Sequence, residues 1–146
     1  MNNNLIIREM LASEYENLID IWIKSSLPFK PEGRDSEENI KRQLKLKNNR
    51  FFVAEINERF AGAIIASHNG RKGWINRLAV LPEFRGKGIA ASLIKKSEDF
   101  FLSSNVKIFA CLIEDWNETS MIFFHNKDYV KHKDIIYYTK KLNPDI

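Results

Sequence analysis

At 146 residues, with 44% hydrophobic and 29% charged residues, the chain reads as a single domain (1–146) able to bury roughly two-thirds of its unfolded surface. It has no run of 18 apolar residues, which excludes a membrane-spanning helix, and its first ten residues, MNNNLIIREM, lack the blocks of a secretory leader. The lone Cys111 excludes an internal disulfide framework and, with the other two absences, points to the cytoplasm.

The net charge of +4 and pI near 9.2 raise the possibility of nucleic-acid binding. In the densest basic run, KRQLKLKNNR (41–50), Lys41, Arg42 and Lys45 lie away from Ile40 and Leu44 at helical spacing. No aromatic residue is interleaved for base stacking, so the run reads as a solvated helix face and argues against nucleic acid.

In chain order, LIIREM (5–10) reads as a strand. SEYENLIDIWIKSS follows as a helix, with a capping box from Ser13 and Glu16 and an apolar stripe of Tyr15, Leu18, Ile19 and Trp22. LPFKPEGRDS (27–36) is a loop, and Asp35 or Ser36 caps a second helix, EENIKRQLKLK. RFFVAEI, NER and FAGAIIAS form a hairpin, and WINRLAV forms a further strand. A helix over about 88–104 places Ile89, Leu93, Ile94, Phe100 and Phe101 on one face. VKIFACLI, a helix over about 117–127 and a last strand, IIYYTKKL, complete the chain. The expected class is mixed α+β, with a central, mostly antiparallel sheet of about six or seven strands flanked by four helices.

The segment LAVLPEFRGKGIAASLI (78–94) runs from a strand through a glycine-spaced basic loop into a helix. Arg85 and Lys87 oppose the helix macrodipole at its N-terminus, a cost that an anion held by the free backbone N–H groups would offset. The segment matches neither the P-loop nor the dinucleotide fingerprint.

INRLAVLPEFRGKGIAASLIKK (75–96) resembles the acetyl-CoA-binding motif of the GNAT acetyltransferase superfamily, [QR]-x-x-G-x-[GA]. The resemblance implies that Arg85, Gly86, Lys87, Gly88, Ile89 and Ala90 hold the pyrophosphate of acetyl-CoA. It implies that Leu78, Ala79 and Val80 run beside pantetheine, which requires their strand to part from VKIFACLI. Asn117 would touch the pantetheine arm and Phe124, seven residues on, would pack near the thioester. The Leu78 N–H would donate to the oxyanion.

Phe124 stands where many relatives carry a tyrosine acid, and no glutamate base precedes Asn117 within VKIFACLI. Glu114, His125 and Tyr129 are the candidate acid and base residues, and Asn76 is a candidate for holding a water. The loop at 27–36 would set the acceptor, although its Lys30, Glu32, Arg34 and Asp35 mix both signs. His68, His132 and Cys111 are too scattered for a metal site, and Cys111 reads as core. The partners implied are acetyl-CoA and an amine acceptor, with a homodimer as one assembly the fold allows. Against N-acetyl transfer stand a CoA-binding sensor that has lost catalysis and, further off, a basic nucleic-acid-binding domain.

Overall fold

A computed structural model describes residues 4–146. Its sheet contains β1 (Leu5–Glu9), β2 (Asn49–Ile56), β3 (Arg59–His68), β4 (Gly73–Val80) and β5 (Phe109–Cys111), side by side in that order. All pairings are antiparallel except β4–β5, which is parallel. The helices are α1 (Tyr15–Lys24), α2 (Glu37–Leu44), α3 (Ile89–Ser103) and α4 (Glu118–His125). No helix among the described residues is long and apolar enough to cross a membrane.

Both faces of the central strands are covered. Consecutive residues Phe51–Ala54 in β2 and Ala61–Ile64 in β3 are buried, as strands sandwiched between helices require. On one face α3 contributes Leu93, Ile94 and Phe101. A Cβ added at Gly62 of β3 would come within 3.4 Å of Leu93, and one at Gly73 of β4 would lie 2.6 Å from the Phe101 ring. These glycines let α3 sit close to the sheet. Leu18, Ile21 and Trp22 of α1 and Ile40 of α2 complete the core.

Local chemistry sets the element ends. The Ser36 hydroxyl accepts the Asn39 N–H and starts α2, as expected. The turn between β2 and β3 uses Asn57 and Glu58, both with positive φ (49° and 67°). That is the signature of a two-residue turn whose twist matches its strands.

Three expectations are corrected. The sheet has five strands, not six or seven. VKIFACLI pairs only over Phe109–Cys111, and the strand-forming residues 135–142 meet no sheet edge, so no ladder defines a strand there. The capping box expected from Ser13 and Glu16 is absent. Instead, the Glu14 carboxylate accepts the Leu11 N–H at 2.8 Å, and a short 3₁₀ turn, Ala12–Glu14, precedes α1. Glu14 suits this place better than Ser13 because Arg8 also grips it, at 2.7 and 2.9 Å. Cys111 is half-buried rather than in the core, since it lies at the sheet's margin.

Candidate functional site

The β4–β5 ladder covers only Gly73–Ile75 against Phe109–Cys111. From Asn76 to Val80, β4 therefore pairs on one side only, with β3. A bulge accompanies the parting: Ala63 faces Ala79 and Ile65 faces Asn76, so Arg77 and Leu78 together oppose Ile64. Arg77 takes the left-handed conformation (φ 53°) to accommodate it. Leu81 donates its N–H to Ala61 of β3, and by alternation Val80 and Leu78 turn their main-chain groups toward the side that β5 has left. The family resemblance implies this splay and nothing in the sequence shows it; the register supplies it.

At the end of that open edge the chain makes a 3₁₀ turn, Pro82–Phe84, and reaches the glycine loop. Gly86 and Gly88 both have positive φ (78° and 77°), and a Cβ at either would meet nothing within 4 Å. Glycine is needed there for backbone conformation, and the space above it is free. Among the described residues, no acceptor takes the N–H of Gly86, Lys87, Gly88, Ile89 or Ala90. Arg85 and Lys87 are exposed beside these donors. Five converging donors, two cations and a helix N-terminus with room in front fit a pyrophosphate. The Arg85 Nε also donates to the Val80 carbonyl at 3.2 Å, so that carbonyl already has a partner.

A cleft of about 330 Å³ continues from this loop between α3 and the end of α4, lined by Ala91, Ser92, Ile94, Lys95, Glu98 and Lys127. Ala91, Lys95 and Glu98 form a stripe on α3. Their spacing is visible in the sequence, but its meaning emerges only once α4 lies opposite.

The other candidates are distributed as follows. Asn117 caps α4, accepting the Ser120 N–H at 3.2 Å. Phe124 is buried against Phe123 and Tyr129, with ring centroids 5.5 and 5.1 Å away. The Tyr129 hydroxyl donates to Glu98 at 2.7 Å. Burial, then the Glu98 bond, holds that phenol far above its ordinary value, so it is a poor acid at neutral pH. Glu114 and His125 are exposed, with no side-chain hydrogen bond among the described residues. Burial pushes the Cys111 thiol up to about 11, so it is not a ready nucleophile. Asn76 is exposed on β4. No group of three or more His, Cys, Asp or Glu that could hold a metal ion occurs among the described residues.

Across the sheet, the loop at 27–36 is tied down by a pair that sequence reasoning missed. Asp35, buried, accepts from Arg77 Nη2 at 2.9 Å and from the Lys30 N–H at 2.8 Å. Arg77 also donates to the Pro28 carbonyl, and its guanidinium lies 4.8 Å from the Trp22 ring centroid. Burial lowers the Arg77 pKa, with Asp35 pulling the other way. Asp35 and Arg77 thus neutralise each other and hold the loop. Nothing in the sequence links two residues 42 positions apart.

The profile of the acetyltransferase (GNAT) family matches residues 12–127. The chain is 29% identical over 140 residues to acetyltransferase plu1384 of Photorhabdus laumondii subsp. laumondii, covering 95% of this chain and 96% of that protein. Its fold is similar to that of the aminoglycoside N-acetyltransferase AAC(6')-Iy in complex with CoA, with a TM-score of 0.79, 19% identity and 97% of each chain covered. It is also similar to an aminoglycoside acetyltransferase from an uncultured soil metagenomic sample in complex with sisomicin, with a TM-score of 0.77, 16% identity and coverage of 95% and 97%. The glycine loop, the parted strands and the family match agree, and the chain belongs to the acetyltransferase (GNAT) family.

Proposed function

We propose that residues 1–146 act as one acetyltransferase domain that moves an acetyl group from acetyl-CoA to a primary amine of a small molecule. The observation that carries this reading is the free edge of β4 beyond Ile75, continuous with five unpartnered N–H groups at 86–90. Pantetheine would lie along Leu78, Ala79 and Val80 as an added strand, and the pyrophosphate would rest on Arg85, Gly86, Lys87, Gly88, Ile89 and Ala90. Asn117, which caps α4, would touch the pantetheine arm, and the buried Phe124 would pack near the thioester.

The amine, with a pKa of about 10.4 if lysine-like, must lose a proton before it attacks the thioester carbon. Glu114, just past β5 and exposed, with no side-chain hydrogen bond among the described residues, would take that proton through water. The Leu78 N–H meets the oxygen that gains charge. The nitrogen sheds its second proton to water as the C–S bond breaks, and a thiolate with a pKa of about 8.5 leaves without needing an acid from the protein. His125 and Tyr129 are then spare, Tyr129 because Glu98 holds its proton.

The acceptor would enter across the sheet, by the loop at 27–36. With Asp35 neutralised by Arg77, the exposed charges left there are Glu32 and Arg34. Two of the solved neighbours are aminoglycoside acetyltransferases, which makes polyamino sugars the first acceptors to screen.

Isothermal titration with acetyl-CoA and with CoA tests the donor site. Micromolar binding by the wild type, lost in a folded Gly88→Trp variant, is expected. A folded wild type that binds neither ligand refutes the reading. Binding without thiol release from any amine would favour the catalytically silent CoA-binding module instead.

A further inference from the structure

Among the described residues, Ser26, Asn57, Glu58, Arg77, Asn105 and Asp128 have a positive φ without being glycine. All but Arg77 lie in turns; Arg77 lies inside β4. The left-handed conformation is unfavourable for any residue with a Cβ, and a bulge that needs it takes glycine by preference. An arginine there therefore needs a reason beyond the turn of the backbone.

The reason lies in its side chain, which is 14% exposed and gripped from three directions. Nη2 donates to the Asp35 carboxylate at 2.9 Å, Nη1 donates to the Pro28 carbonyl, and the guanidinium lies 4.8 Å from the Trp22 ring centroid. The far end of this grip is itself fixed. The Asp35 carboxylate accepts the Lys30 N–H at 2.8 Å, and the Asp35 carbonyl accepts the Tyr15 hydroxyl at 2.8 Å. Strained backbone persists where surrounding contacts over-determine it, and it concentrates at functional sites.

The place of Arg77 in the chain gives the strain a chemical consequence. The Arg77 carbonyl and the Leu78 N–H belong to one planar peptide group. A change of Arg77 from the left-handed to the extended region turns that plane relative to β4 and carries the Leu78 N–H with it. An oxyanion donor is worth most when it already points at the oxygen before charge develops.

Resting on the acetyl-transfer reading above, we propose that Arg77 is a positioning residue for the oxyanion donor. The grip of Asp35 and Pro28 holds its left-handed backbone, and that backbone aims the Leu78 N–H at the thioester oxygen. The loop at 27–36, which would border the acceptor, and the group that would meet the oxyanion are thus fixed by one set of contacts. An acceptor that shifts the loop changes the aim of the Leu78 N–H as well as its own seat. Acceptors should then differ in kcat as well as in KM.

The Leu78 amide reports on this without any acceptor. The full chain, labelled with nitrogen-15 leucine, is titrated with acetyl-CoA and with CoA, which differ by the thioester carbonyl. Loss of one resonance in Leu78→Ile assigns the signal. In the wild type the Leu78 amide proton should lie further downfield with acetyl-CoA than with CoA. Two double variants then separate backbone from clamp: Arg77→Met with Asp35→Asn, and Arg77→Gly with Asp35→Asn. Neither strands a buried charge, and both lack the clamp, but glycine keeps the left-handed region unaided. The downfield difference should be lost in the methionine pair and retained in the glycine pair. Asp35→Asn alone should weaken it, although the change lies outside β4. Each variant should still bind CoA, whose pyrophosphate loop is untouched, and that binding shows the variant to be folded. Equal Leu78 responses in the two pairs overturn the proposal and leave the acetyltransferase reading standing. So does an undiminished response in Asp35→Asn, or a wild type that binds both ligands with no difference at Leu78. A folded wild type that binds neither ligand refutes the acetyltransferase reading itself, and the proposal falls with it.

Discussion

Replacing Arg77 with methionine should be among the most damaging single changes outside the main core. Methionine keeps length and apolar stem, so the loss is that of a charge and its donors. Asp35 is 3% exposed and the Arg77 side chain 14%, so the remaining carboxylate cannot turn to water. Removing one partner of a buried pair costs about 3–5 kcal/mol, mostly the penalty of the orphaned charge. Because Lys30 still donates its N–H to Asp35 at 2.8 Å, the lower figure applies. A loss of ~3 kcal/mol lowers the melting temperature by roughly 6–12 °C in a chain of this size. Asp35→Asn should cost a similar amount by stranding Arg77 over Trp22. Urea denaturation of both single variants and of the double variant measures their coupling. The double variant should be more stable than the summed losses imply, by about 1–3 kcal/mol. Additive losses would refute the idea that the two residues act as one clamp on the loop at 27–36.

Cys111 and Tyr129 both hold their protons more tightly when folded, with Cys111 raised from 9.0 to about 11 and Tyr129 raised from 10.0. The unfolded chain releases those protons first, so stability should be complete below pH 9 and fall as the pH rises beyond it. Urea midpoints between pH 8 and 11 test this, and Tyr129→Phe should flatten the upper part of the fall. The same shift leaves the folded Cys111 thiolate about 100-fold scarcer at pH 8. Iodoacetamide should therefore label native protein far more slowly than urea-unfolded protein. Glu58→Gly, which relieves a positive φ of 67° in an exposed turn, should stabilise the chain by about 1 kcal/mol in the same denaturation assay.

The periodic elements and the glycine loop were legible because local chemistry fixes them. Ser36 caps α2 whatever surrounds it, and Gly86 and Gly88 adopt conformations that glycine allows cheaply. The misses have a common origin in contacts between distant residues. Arg8 decides which residue opens α1, Glu98 decides what Tyr129 can do, and Asp35 and Arg77 cancel charges that looked free in the loop. The absent last strand belongs to the same class. Residues 135–142 have the composition of a strand, but composition cannot tell which edge a strand will pair with, and here they pair with none.

The three-residue ladder between β4 and β5 also shapes how the molecule comes apart. The strands β2, β3 and β4 are joined by short turns and long ladders, and their amides should be the last to exchange with deuterium. β5 and α4 hang from them by a narrow seam and should open first. A ligand wedged along that seam touches both parts at once, so it would turn two units of unequal stability into one. Protection from exchange would then spread from the meander into α4 when the cleft is filled, without any change of fold.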